Sequence, residues 1–177
     1  MGLVVVSMAL PIAASATTAT AKTLLTAATT KARKERKNVM VIFHASWCGW
    51  CKKMDAMLES PQFKTMFEKS YVITHVDVLE NEGPNKALEN DGGAELMKTL
   101  GAMPDSGIPF FAILSPDGVK LGDSLLPGKQ NMGFPAEPQE VVAFMALLKK
   151  TAPRMTETDR TTVETFLKNQ KINATGH

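Results

Sequence analysis

Phe43-His44-Ala45-Ser46-Trp47-Cys48-Gly49-Trp50-Cys51-Lys52 holds the only two cysteines and the only two tryptophans of a 177-residue chain. Two thiols three positions apart can close on each other or grip a metal, and C-x-x-C opening a helix reads as redox or, less often, metal. The five apolar residues before the motif, Val39 to Phe43, predict a strand buried on both faces. A short connection through Ser46 and Trp47 then leads into a helix. That helix turns Cys51, Met54 and Leu58 inward and shows Lys52, Lys53 and Asp55 to water.

Outward from the motif, a modestly amphipathic helix precedes the strand, with Leu24, Leu25, Ala28 and Ala32 at helical spacing. Downstream, Ser60-Pro61 interrupts the cysteine helix and restarts it, Ser60 as N-cap and Pro61 in the first turn. Phe63, Met66 and Phe67 give the new helix its apolar stripe, and Tyr71 to Leu79 predicts the next strand. The order α-β-α-β implies a parallel strand pair joined by a crossover. Between Asn81 and Ser106, Ala87-Leu88 and Ala94 to Leu100 read as two helical turns separated by Asp91-Gly92-Gly93. Phe110 to Leu114, the turn Pro116-Asp117-Gly118 and Val119 to Ser124 form a hairpin. Leu125 to Pro138 is a loop with three prolines. Val141, Phe144, Met145 and Leu148 place a stripe on a long helix ending near Ala152-Pro153. A last short helix starts at Thr156, where Thr156-x-x-Asp159 resembles a capping box.

One globular domain with appendages fits this length: residues 17–152 as the domain, 153–177 as a helical appendage, and 1–16 as a candidate signal peptide. Leu3 to Ala14 is apolar apart from Ser7, and Ala14-Ser15-Ala16 has the small-x-small pattern of a cleavage site. Twelve residues fall short of the roughly 20 that span a bilayer. No Lys or Arg precedes Lys22, so the basic n-region of a signal is missing. A periplasmic or secreted protein is the expectation, with a cytoplasmic one as the alternative. The formal charge of +2 gives no argument for nucleic acid. The basic run Lys31 to Lys37 is a solvated helix end.

A thiol reacts as its thiolate, and the unsatisfied N–H groups and dipole of a helix N-terminus favour that charge. Cys48 is therefore the expected nucleophile. Cys51, one turn deeper, is the resolving thiol that attacks a mixed disulfide at Cys48. Trp47 shields one side of the exposed sulfur.

The Phe43–Lys52 stretch, with Gly107-Ile108-Pro109 and the hairpin after it, resembles the thioredoxin superfamily. Ser60-Pro61 and Cys51-Lys52-Lys53-Met54 most resemble bacterial exported thioredoxin-like proteins and the periplasmic C-terminal domain of the disulfide reductase DsbD. The likeness covers roughly residues 20 to 152. It implies an α/β thioredoxin-like three-layer fold, a central mixed sheet flanked by helices, and thiol–disulfide exchange with protein substrates. It also implies that Ile108-Pro109 is cis and faces the cysteines, with Trp47, Trp50, Ile108 and Pro109 meeting the substrate. The implied partners are protein thiols or disulfides and an upstream redox partner; no cofactor and no metal is expected. Oligomeric state has no signal in the sequence. Two departures stand out. Ile42 occupies the position where thioredoxins proper carry a buried acid, and Gly49-Trp50 replaces the usual Gly-Pro, so neither proton relay nor potential carries over.

Other residues have plainer readings. His44 reads as strand-edge packing, with tuning of the thiolate or proton relay as the alternative. His75 lies on the second strand, with a place behind Cys51 as its alternative, and Asp77 reads as a strand-end surface carboxylate. Five of the eleven methionines (Met40, Met54, Met57, Met66, Met145) fill core stripes, while Met103 and Met132 sit in loops open to partners. Asn173-Ala174-Thr175 is formally a glycosylation triplet. Two rival functions use the same residues: a Cu(I) or Zn(II) carrier built on both thiols with His44 or a methionine, and a redox-inert interaction domain.

Overall fold

The computed structural model describes residues 18–80 and 84–170. The candidate signal segment and the Asn173 triplet lie outside them. Helix α1 (Ala21–Glu35) begins at Thr20, whose side chain accepts from the Thr23 N–H, and ends at Arg36 in the left-handed region. Strand β1 (Asn38–His44) follows, then α2 (Gly49–Glu59) and α3 (Pro61–Glu68), then β2 (Tyr71–Asp77). A 3-10 turn (Pro84–Leu88) and α4 (Gly93–Thr99) lead to the hairpin strands β3 (Phe110–Leu114) and β4 (Lys120–Asp123). Helices α5 (Pro138–Thr151) and α6 (Glu157–Lys168) close the fold.

The sheet order is β2-β1-β3-β4. β1 runs parallel to β2 and antiparallel to β3, so the sheet is mixed. Successive residues of a strand face opposite sides, and both sides of β1 are covered. Met40 and Ile42 join Phe111, Ile113, Met54, Phe67 and Phe144 in one core cluster, under α2, α3, α5 and α6. Val39, Val41 and Phe43 join Phe110, Ala112, Ala28, Ala32 and Met97 in the other, under α1 and α4. A strand with no wet face has no reason to alternate, which is why Val39 to Phe43 is an unbroken apolar run. This three-layer arrangement is the α/β fold that the motif implied.

β2 stops two residues before the expected end at Leu79. Leu79 adopts a φ of 56°, which takes the chain out of the strand. α4 presses close to β2 because residue 93 is glycine: a Cβ there would come within 2.8 Å of Val78 Cγ1. Met132 differs from expectation. It is buried in the larger core beside Phe134 rather than open to a partner.

Candidate functional site

The site grows from the end of β1. Ala45 O accepts the Cys48 N–H at 3.1 Å, which tightens the connection so that Cys48 becomes the N-cap of α2. Its Sγ accepts the Cys51 N–H at 3.1 Å, as a capping oxygen would in an ordinary helix. One orphan donor of the first turn therefore points at sulfur. Cys48 and Cys51 are joined in a disulfide with Cα atoms 5.2 Å apart. They are 5% and 1% exposed.

Two tryptophans flank the pair. Trp47 is 47% exposed and is pinned by its indole N–H, which donates to Leu79 O at 2.8 Å. The residue before it is held by Glu80, a buried carboxylate. Its oxygens accept from Ser46 N at 2.7 Å and Ser46 Oγ at 2.8 Å. Trp50 stacks on Phe134 from the Pro-rich loop, ring centroids 6.2 Å apart, with Lys53 Nζ 4.1 Å from the indole centroid.

Ile108-Pro109 is cis, as expected, and its Ile108 carbonyl oxygen lies 3.6 Å from Cys48 Sγ. Asn131 fixes this turn from the side. Its amide donates to Pro109 O at 2.9 Å and Gly107 O at 3.4 Å, and its carbonyl accepts from Ser124 Oγ at 2.6 Å. Trp50, Ile108, Pro109, Met132 and Phe134 line a groove beside the disulfide. Five of the six residues expected at the site, Cys48, Cys51, Trp50, Ile108 and Pro109, meet here, while Trp47 adjoins Cys48 in the chain with its indole turned to Leu79 O. Neither Asn131 nor Glu80 was anticipated, since an isolated Asn in a loop and a Glu after a strand carry no spacing signal.

The largest correction concerns Asp55. It does not project into water; it is half-buried between two histidines. Asp55 Oδ2 lies 3.3 Å from His44 Nδ1, and Oδ1 lies 3.0 Å from His75 Nε2. His44 Nε2 lies 3.1 Å from Asp77 Oδ1, so Asp77 is not a free surface carboxylate and His44 is more than edge packing. Burial would raise the Asp55 carboxyl, but hydrogen bonds from His44 and His75 outweigh it and hold it well below the usual carboxylate range. Burial would lower His44, but the Asp55 hydrogen bond and the charges of Asp77, Asp55 and Glu80 prevail and raise it. Asp77 is raised, first by burial and then by Glu80 and Asp55, against the pull of His44 and His75. A period-2 reading places His44 on the Ile42 face and so toward α2. What hid the cluster was Asp55, whose charge beside Lys52 and Lys53 read as a solvent position although it lies one turn from the inward Cys51.

Among the described residues no three His, Cys, Asp or Glu side chains are grouped to hold a metal ion. No helix of those residues is long and apolar enough to cross a membrane.

Comparison with known proteins gives consistent relatives. A protein disulfide-isomerase of Hordeum vulgare is 38% identical over 49 residues, 28% of this chain and 10% of that protein. The chain thus spans about a tenth of the length of the curated relative it matches. A disulphide isomerase structure from Xylella fastidiosa Temecula1 superposes with a TM-score of 0.50 at 23% identity, covering 65% of this chain and 80% of that one. The oxidised DsbD C-terminal domain of Neisseria meningitidis gives 0.44 at 23% identity, covering 61% and 84%. The thioredoxin-like family profile matches residues 20–116, more than half of the sequence, and the chain belongs to that family.

Proposed function

We propose that the protein is a thiol–disulfide oxidoreductase that acts on protein substrates. The observation that carries this reading is the N-cap position of Cys48, with the Cys51 N–H aimed at its sulfur and the cis Ile108-Pro109 turn beside it. In the reduced protein the same donor and the helix dipole favour the Cys48 thiolate. Cys48 attacks a substrate disulfide, and Cys51, three residues on and within bonding reach, resolves the mixed disulfide. The substrate lies extended against the Ile108-Pro109 backbone, with Trp47 and Trp50 on either side of the reacting sulfur. The family supports protein thiols as the substrate class.

The metal-carrier reading gains nothing from His44, because both its ring nitrogens are engaged by Asp55 and Asp77. Export remains part of the proposal and rests on the apolar run Leu3 to Ala14 followed by Ala14-Ser15-Ala16. N-terminal sequencing of protein taken from its own cells should find Thr17 first; an intact Met1 would count against export.

The purified protein should reduce insulin disulfides with a dithiol donor, and Cys48→Ala should abolish the activity. Unchanged turnover in that variant overturns the mechanism. Cys51→Ala should instead accumulate a mixed disulfide with substrate, visible by mass spectrometry. Equilibration with glutathione buffers places the couple on the scale from about −270 mV, reducing, to about −120 mV, oxidising. That titration decides the physiological direction.

A further inference from the structure

Disulfide exchange moves protons as well as electrons, and Cys51 sits where its proton has no direct route to water, at 1% exposure. Ile42, on the strand behind it, offers no titratable group. The strand register shows what stands next to that position. Ile42 pairs with His75 on β2, and His44 pairs with Asp77. Met40 and Ile42 face α2, so His44 does too; on β2, Tyr71 and Ile73 share that face, and His75 follows. Asp55 joins both from α2, four residues after Cys51, where helix neighbours stand roughly 5–6 Å apart at Cβ. Two of the chain's three histidines are in this one cluster.

Its internal geometry leaves a loading point whose two partners both belong to the cluster. An ionised Asp55 only accepts, so His44 Nδ1 and His75 Nε2 each hold a proton toward it. The remaining gap lies between His44 Nε2 and Asp77 Oδ1, 3.1 Å apart. Without a proton there, two lone pairs face each other. With one, the gap is a hydrogen bond. Glu80, after β2, adds negative charge to the same pair, while Lys52 and Lys53 of α2 are exposed to solvent. The upward displacement of both His44 and Asp77 agrees with this gap as the place where the cluster takes up a proton.

We propose that the His44–Asp55–His75–Asp77 cluster is the proton reservoir of the exchange reaction, loading at the His44–Asp77 gap as Cys51 ionises. The inference rests on the oxidoreductase reading above, but proton linkage can be measured without turnover. In the reducing direction, the Cys48 thiolate attacks R–S–S–R′, forming Cys48–S–S–R and releasing R′S⁻. Cys51–SH gives its proton to the cluster, its sulfur attacks Cys48, and RS⁻ leaves. The cluster's proton neutralises RS⁻. R′S⁻ takes from water the proton that Cys48 had shed. Two electrons pass from the cysteine pair to the substrate disulfide, and a dithiol donor restores the pair. The oxidising direction runs through the same groups in reverse. His44 and Asp55 are positioning residues in this scheme, acting on Cys51 through charge and proton sharing.

The test is the imidazole titration of His44 and His75 by NMR in the full chain, disulfide form against dithiol form. Linkage is reciprocal, so the His44 midpoint should differ between the forms by about half a pH unit or more. Superimposable curves overturn the proposal. Independently, in a Cys48→Ala background only Cys51 titrates, and its thiolate absorbance reports its ionisation. His44→Gln should raise that midpoint by about one unit through loss of a nearby cation; an unchanged midpoint in a folded variant counts against the cluster. A residue that merely packs would lower the melting temperature without moving either titration. Insulin reduction without linkage overturns this inference and leaves the enzyme reading intact. Linkage without exchange on protein disulfides supports the reservoir and removes the enzyme reading.

Discussion

Asn131 spends its whole side chain on holding the cis-proline turn. Its amide bridges the Pro109 and Gly107 carbonyls, and its oxygen takes Ser124 Oγ and the Gly133 N–H. Ser124 is itself buried, its hydroxyl oxygen accepting the Phe111 N–H at 3.0 Å. The turn that faces the disulfide is thereby tied to the centre of β3. Asn131→Leu keeps the four side-chain heavy atoms and their branching but leaves these groups unpaired, a cost of roughly 1–3 kcal/mol. Exchange with insulin should slow several-fold, because an extended chain needs the Ile108 backbone in place. Exchange with a small aromatic disulfide should be nearly unaffected. Equal losses with both substrates would place the role of Asn131 in folding alone. This residue was not legible in the sequence, and neither was Asp55. Cys48 and Cys51 were, because their chemistry depends on local spacing. Asp55 and Asn131 depend on partners 11 to 24 positions away, which no periodicity records.

Elements whose boundaries follow from local rules came through closely. β3 matches its apolar run, and α5 starts at Pro138 in its first turn and reaches Thr151. β2 ended early and β4 began late because backbone conformations, a positive φ at Leu79 and a register shift near Leu114, override residue preference. The C-terminal helix is the case where a capping pattern, together with the apolar stripe Val163, Phe166 and Leu167, carried the reading. Thr156 accepts from the Asp159 N–H at 3.1 Å, and Asp159 accepts from the Thr156 N–H at 2.9 Å. Asp159 also takes Lys69 Nζ at 2.8 Å, tying the start of α6 to the end of α3. That Lys69 hydrogen bond, against burial and with help from Thr156, lowers the Asp159 carboxyl. Thr156→Ala should cost about 1 kcal/mol of global stability, read by urea unfolding, and Thr156→Ser should recover most of it. The glutathione equilibrium of the cysteines should not move in either variant. A shift there would mean that α6 couples to the site.

For the molecule as a unit, the His–Asp cluster makes stability depend on pH from two sides. Met155, Val163 and Leu167 bury in the same core as Met40, Met54 and Phe144. Asp55, lowered in the fold from its ordinary 3.8, contributes stability that is fully present above 3.8. That contribution is lost as pH falls through the lower folded value. His44, raised from 6.5, contributes stability that is full below 6.5 and lost as pH rises through its folded value. Asp77 has the opposite sense to Asp55: raised in the fold, it is a cost above its folded value that acid relieves. Asp55 and His44 together therefore favour the fold most between about 3.8 and 6.5, and Asp77 offsets part of that gain. Asp55→Asn removes the charge that both histidines lean on while keeping the shape. Within that window it should lower the unfolding free energy by roughly 1.5 kcal/mol or more, the scale of hydrogen bonds to a charged group. The deficit should shrink as pH falls below 3.8 and again as pH rises past the His44 midpoint. Urea unfolding of the disulfide form, followed by fluorescence of the two tryptophans across this range, measures it. A deficit constant with pH would show that Asp55 acts by packing and that its charge is immaterial to the fold.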